Sequence, residues 1–168
     1  MRLTPSALTL ALACAIQSTD AKIPAPCAIS QVDTAGWVDF TPADYRFRMR
    51  LPAGAKEVAV HCFDTACGKI VTAWGDLDWS LEYGSHPIDS LRLGADAIGV
   101  QQCEDEFQGR RALLVTGQYS RSGRAPRGHY FAFAGFPRGN TMMEFMTESA
   151  SPDGLLQFLA AARTAQFP

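Results

Sequence analysis

The sequence predicts an α+β domain: an antiparallel sheet of about six to seven strands covered by a C-terminal helix. Three observations predict it. Several runs alternate apolar and polar residues with period two. Short turn-forming segments separate these runs, so most consecutive strands read as antiparallel neighbours. The last apolar stretch changes to helical spacing directly after a Ser-Pro start.

The chain opens with "MRLTPSALTLALACAIQSTDA". Arg2, an apolar run from Leu8 to Ile16, and small residues at Thr19 and Ala21 form the pattern of a secretory signal over residues 1–21. Cleavage after Ala15 and lipid attachment at Cys14, within "LALAC", are the alternatives. The apolar run is too short for a permanent span, which takes roughly 20 residues. No other segment reads as transmembrane. The expectation is one exported domain over residues 22–168, large enough to bury its own core.

The elements follow in order. "KIPAPCAISQ" is an extended, Pro-containing lead-in. In "DYRFRMRLPAG", Tyr45, Phe47, Met49 and Leu51 alternate with Arg46, Arg48 and Arg50, which predicts a strand with one buried face, ended by Pro52 and Gly54. "EVAVHCF" and "GKIVTAW" flank "DT" as a hairpin. "LDWSLEYG" places Leu77, Trp79, Leu81 and Tyr83 on one face, with Asp78, Ser80 and Glu82 on the other. "SHPIDSLRLGADAIG" spaces Ile88, Leu91, Ala95 and Ile98 as a short helix, against which Gly94 counts. "VQQCEDEF", "RRALLVTGQY", "HYFAFAGF" and "NTMMEFMTES" read as four strands, the first two turning at Gly109. Ser151 and Pro152 then start a helix over roughly 152–165, with Leu155, Leu156, Phe158, Leu159 and Ala162 on its apolar face.

This order resembles the PsbP-like α/β sandwich group, which includes photosystem extrinsic proteins and bacterial envelope proteins. The resemblance rests on "RLPAG" closing an alternating strand, on "QGRRALL" in the central meander, and on a last strand running into "SPDGLLQFLAAARTAQF". It spans about residues 36–168. It implies a binding or assembly scaffold and assigns no site residue.

Beyond the predicted signal the cysteines are Cys27, Cys62, Cys67 and Cys103, an even set that favours disulfides in an exported chain. The x4 spacing of "HCFDTACG" and its strand-like flanks differ from a Cys-x-x-Cys redox site at a helix start. A zinc site would need two further suitably spaced ligands. With Asp64 and Thr65 as the turn, Phe63 faces Ala66 and Cys62 faces Cys67 in a non-hydrogen-bonded pair with Cα atoms ~4.5 Å apart, within disulfide reach. Cys27 and Cys103 remain as the second pair, closing a loop of about 77 residues and pinning the lead-in to the sheet.

The charge is near balance, net −2 with twelve of fifteen basic residues Arg, which points away from nucleic acid in an exported chain. It is unevenly spread. Residues 110–138 hold six Arg and no acid, whereas residues 76–106 hold eight acids and only Arg92. The Arg46, Arg48, Arg50 stripe is expected to pair across the sheet with Asp78 and Glu82. The loop "YSRSGRAPRGHY" carries the predicted partner-binding residues Ser120, Arg121, Ser122, Arg124, Arg127 and His129. Arg is enriched at interface hot spots, and rigid scaffolds present contact loops in this way.

No nucleophile elbow, metal-ligand set or cofactor motif is read, so no catalytic residue, metal or cofactor is expected. The predicted function is a periplasmic, non-enzymatic binding protein, of the inhibitor or immunity type, whose partner is another envelope or secreted protein. Two alternatives stay open: an envelope hydrolase with His129 or His61 as general base, and a lipid or small-anion carrier using the space between sheet and helix.

Overall fold

The computed structural model describes residues 22–28, 32–44, 46–62, 66–83, 97–120 and 129–168, with Glu82 and Tyr83 as backbone. The predicted signal, most of the predicted helix after Pro87, and loop residues Arg121, Ser122, Arg124 and Arg127 lie outside these residues. The elements are β1 (Trp37–Phe40), β2 (Met49–Pro52), β3 (Lys56–Val58), β4 (Ala66–Thr72), β5 (Gly75–Tyr83), β6 (Ala97–Phe107), β7 (Arg110–Tyr119), β8 (Tyr130–Arg138), β9 (Thr141–Ser149) and α1 (Pro152–Arg163).

Seven strands form one sheet in the order β3-β4-β5-β9-β8-β7-β6, and every neighbouring pair is antiparallel. Most neighbours are sequential hairpins. The exception is β5 beside β9, which brings the two halves of the domain together at the centre. The β6–β7 turn places Gln108 and Gly109 at φ 53° and 75°, the backbone that a tight hairpin with right-handed twist requires.

Alternation sorts the side chains as expected. Leu77, Trp79 and Leu81 of β5 join Leu114, Ala132, Ala134, Phe136, Met143 and Phe145 in one buried cluster. The helix adds Leu155, Phe158, Leu159 and Ala162 to that cluster, and it packs on β8, β9 and β2. Val115, Phe131, Phe133 and Met142 are buried on the opposite sheet face. β8 is therefore buried on both faces from Tyr130 to Phe136, which explains why its sequence is nearly continuously apolar.

The helix starts where Ser-Pro predicts, with Ser151 extended at the N-cap and Pro152 in the first turn. The Ser151 hydroxyl makes no capping bond. Instead the Ser151 N–H donates to Ser149 Oγ at 3.2 Å. At the other end the Thr164 hydroxyl donates to the Ala161 carbonyl at 2.7 Å, and the helix ends at Arg163 rather than at 165.

Four expectations are corrected. The "DYRFRMRLPAG" run is a strand only from Met49, and it pairs with β1 in a separate two-stranded sheet. Its alternation is real, since Phe47, Met49 and Leu51 are buried in the main core. β1 itself carries no clean alternation, which is why the sequence did not announce it. Only Glu57 and Val58 of "EVAVHCF" lie in a strand, the three-residue β3, which is not a long hairpin arm. Ile98, expected at a helix end, belongs to β6.

The fourth correction concerns the arginine stripe. Arg46 pairs with Asp44 at 2.6 Å, Arg48 reaches Gln166 and Asp39, and Arg50 donates to the Trp37 carbonyl at 3.0 Å. Asp78 pairs with Lys69 instead, at 3.5 Å. The cause is topological. The buried side of the β2 segment packs into the helix-side core beside Trp79, whereas Asp78 alternates to the opposite face of β5.

Candidate functional site

The predicted contact loop joins β7 to β8. The described residues fix its base: the Tyr119 N–H donates to the His129 carbonyl at 2.9 Å, and Tyr119 packs on Phe131 with ring centroids 4.8 Å apart. Ser120 and His129 stand at the two ends of that base, half-buried. Three of the six arginines of the basic stretch are already engaged within the fold. Arg110 and Arg138 lie over the Phe167 ring at 5.5 and 5.6 Å, and Arg111 pairs with Glu104. The other three, Arg121, Arg124 and Arg127, belong to the loop.

Both predicted disulfides form. Cys27–Cys103 has Cα atoms 6.0 Å apart and ties the lead-in to β6. The lead-in is held further by Thr116 Oγ1 donating to the Pro24 carbonyl at 2.7 Å and Arg163 donating to the Pro26 carbonyl at 2.9 Å. Cys62–Cys67 also pairs, with Cα atoms 6.2 Å apart. It is not the facing ladder pair expected, because the β3–β4 register runs Val58↔Lys69 and ends there. The segment Val60–Cys62 leaves the ladder, and the disulfide holds it beside the sheet.

That arrangement makes a cavity of about 340 Å³ between the segment and the sheet face opposite the helix. Asp78 and Ser80 of β5, Glu144 and Met146 of β9, and Phe133 of β8 share this face by register, with Ser80 opposite Glu144 and Met146 opposite both Asp78 and Phe133. Val60, His61, Cys62, Cys67, Gly68 and Trp79 complete the described lining. The floor is thus apolar at Phe133 and Met146 and acidic at Asp78 and Glu144.

The acidic character extends beyond the cavity. Asp76 stands opposite Glu148 on the same face, a like-charge pairing that costs stability unless a cation sits nearby. Lys69 supplies one, at 3.0 Å from Asp76 and 3.5 Å from Asp78. Among the described residues it is the one cation that ion-pairs with either aspartate. Burial raises the Asp78 pKa, and Lys69 only partly offsets this. Lys69 is itself raised, chiefly by its hydrogen bond to Asp76. Val58 of the edge strand β3, Val71 of β4 and Val60 in the segment after β3 are exposed nearby.

Sequence reading placed Asp78 and Ser80 on the wet face of their strand but missed the surface they build with Glu144 and Glu148. The alternation in "TMMEFMTES" was the available signal. Which strand lies beside β5 was not, because β6, the next strand in sequence, lies at the far edge and the meander returns to β5 only at β9. Among the described residues no group of three or more His, Cys, Asp or Glu is placed to hold a metal ion, and no helix is long and apolar enough to cross a membrane.

No protein-family model and no curated protein matches the chain. Solved structures do. The solution structure of the cyanobacterial PsbP (CyanoP) from Synechocystis matches over 84% of this chain and 98% of its own, with TM-score 0.54 and 9% sequence identity. The fold is PsbP-like. At that identity the likeness extends to the fold alone. A protein from Bacteroides thetaiotaomicron matches over 77% of this chain and 48% of its own, with TM-score 0.48 and 13% identity. A protein of unknown function from Pseudomonas aeruginosa matches over 71% and 85%, with TM-score 0.36 and 11% identity. The PsbP-like frame accounts for the element order that the sequence suggested.

Proposed function

We propose that this is an exported, non-enzymatic binding protein of the periplasm that works by contact with another envelope or secreted protein, as an inhibitor or immunity-type protein does. The observation that carries the reading is the sheet face bearing Asp76, Asp78, Glu144 and Glu148 with exposed valines at its edge. Charged groups beside apolar ones on a rigid frame suit a partner of opposite charge, because complementary charge steers encounter and apolar contact holds the complex. Two disulfides stiffen the frame and support export to an oxidising compartment. The loop from Ser120 to His129 is a second contact element in this proposal, on its composition.

A crosslinked pull-down from the native envelope tests it. Wild type is compared with an Asp76→Lys, Glu148→Lys variant and with Arg121→Glu, Arg124→Glu, Arg127→Glu. Loss of one captured partner in either variant, at unchanged thermal stability, supports the proposal. Capture surviving both sets sinks it.

One observation favours a second reading, the envelope hydrolase: His61 and Ser80 line one cavity with Asp78 and Glu144. In that case His61 is the general base, and purified protein turns over ester or cell-wall substrates with loss in His61→Ala. The carrier reading has less support. Phe145, Leu155 and Phe158 fill the space between sheet and helix, and the acidic cavity disfavours anions.

A further inference from the structure

We infer that the cavity beside Cys62–Cys67 is a binding site for a small organic cation, a primary ammonium or amidinium group carried on an apolar stem. The inference rests on the cavity alone and stands whether or not the acidic face captures a protein.

The size suits such a ligand. About 340 Å³ lies within the range of small-molecule pockets, roughly 300–1,000 Å³. The lining is segregated in the way an amphiphilic cation requires. Phe133, Met146 and Val60 offer apolar contact to a stem. Asp78, Glu144 and Ser80 offer oxygen acceptors to a head group that has only donors.

The electrostatics choose the sign. Asp78 is held partly out of water beside an apolar floor, yet its only ion-pair partner among the described residues, Lys69, sits closer to Asp76. Lys69 approaches Asp78 through Oδ1, so Oδ2 is available to a second donor. A charge-assisted hydrogen bond from an ammonium would restore what burial removed. A carboxylate or phosphate ligand would face the Asp78 and Glu144 carboxylates, with no Lys or Arg among the described lining residues. The Cys62–Cys67 bond fixes the wall, so little ordering is required on binding.

The test is a titration of the folded, oxidised protein with n-hexylammonium, 1-hexanol and hexanoate, read by calorimetry and by methyl shifts of labelled methionine. The expected result is saturable binding of hexylammonium, about tenfold or more weaker binding of hexanol, and no binding of hexanoate. Asp78→Asn and Glu144→Gln each reduce hexylammonium affinity by about tenfold and leave hexanol unchanged. The Met146 methyl shifts on titration and the Met143 methyl, on the opposite sheet face, does not. This comparison needs no variant and holds even where a variant fails to fold. Three results overturn the inference: no binding of hexylammonium, equal binding of hexanol or hexanoate, or shifts at Met143 rather than Met146. A failed pull-down leaves the site standing, and a failed titration leaves the protein-contact proposal standing.

Discussion

Gly68 lies beneath the indole of Trp79, its partner across the β4–β5 ladder, and a Cβ added at Gly68 would overlap the ring. The same relationship recurs between Gly117 and Phe131 across the β7–β8 ladder. In each case the missing side chain lets a cross-strand ring lie flat on the backbone, so the ring covers the glycine's peptide groups. Trp79 is nearly fully buried and packs edge-on against Phe47 at 5.5 Å. Among the described residues its Nε1 has no hydrogen-bond partner, so packing holds the ring in place.

Gly68→Ala is therefore expected to destabilise. Gly68 is not among the described residues with positive φ, so conformational strain does not enter and sterics decide. Alanine would gain up to about 1 kcal/mol by restricting the unfolded chain. Displacing a buried indole costs about 1–3 kcal/mol, and the net effect is a loss. A lowered urea midpoint with unchanged slope confirms it. A variant as stable as wild type would show that Trp79 has room to move.

The two disulfides are expected to differ in worth. Cys27–Cys103 joins residues 76 apart in sequence, and Cys62–Cys67 joins residues 5 apart. Chain entropy assigns the long loop about 4 kcal/mol and the short one about 2 kcal/mol. Cys27→Ser with Cys103→Ser should lower the unfolding free energy by roughly twice as much as Cys62→Ser with Cys67→Ser. Denaturant titrations of both pairs check this. Equal losses would mean that the short bridge also holds the Val60–Cys62 segment by direct packing.

How much of this was legible depends on range. The faces of β5 and α1 follow from local periodicity, and Leu77, Trp79, Leu155 and Phe158 are buried as their spacing required. The two cysteine pairings were legible because four thiols leave few choices. What failed was long-range placement. "DYRFRMRL" announces a buried face but not which sheet it joins, and hydrogen bonding to Gln166 and β1 decides that. The cavity needs three facts that no local pattern holds: β9 lies beside β5, β3 stops at Val58, and the disulfide holds the segment after it.

Asp78 sets a pH dependence. Burial raises its pKa above the ordinary 3.8, with Lys69 opposing. The folded state therefore binds this proton more readily than the unfolded chain. The stability contributed by Asp78 falls as pH rises from 3.8 through the raised value, and it stays at the lower level above that. Lys69, raised above 10.5, remains charged throughout this window. Asp78→Asn should match or exceed wild-type stability near neutrality, and its advantage should shrink on acidification below the ordinary carboxylate range. Denaturant titrations at the two pH values measure it. A clear loss at neutral pH in the variant would mean that the Lys69 pair outweighs the cost of burial.

Phe167 closes the helix-side core from the C-terminal segment. Its ring meets Phe136 at 5.0 Å and stacks on Phe145 at 6.3 Å, and Arg110 and Arg138 lie against it. Arg138 also donates to the Pro168 carbonyl at 3.0 Å, and Gln166 bridges to Arg48 through both backbone groups. The ring is half-buried, so Phe167→Ala should cost about 2–3 kcal/mol, below the ~3–5 kcal/mol expected for fully buried Phe158→Ala. Arg110→Ala and Arg138→Ala should each cost about 0.5–1 kcal/mol. In a double-mutant cycle with Phe167→Ala the coupling should recover most of that cost. A coupling near zero would show that these two arginines serve charge alone, and that Arg110 and Arg138 are available to a partner.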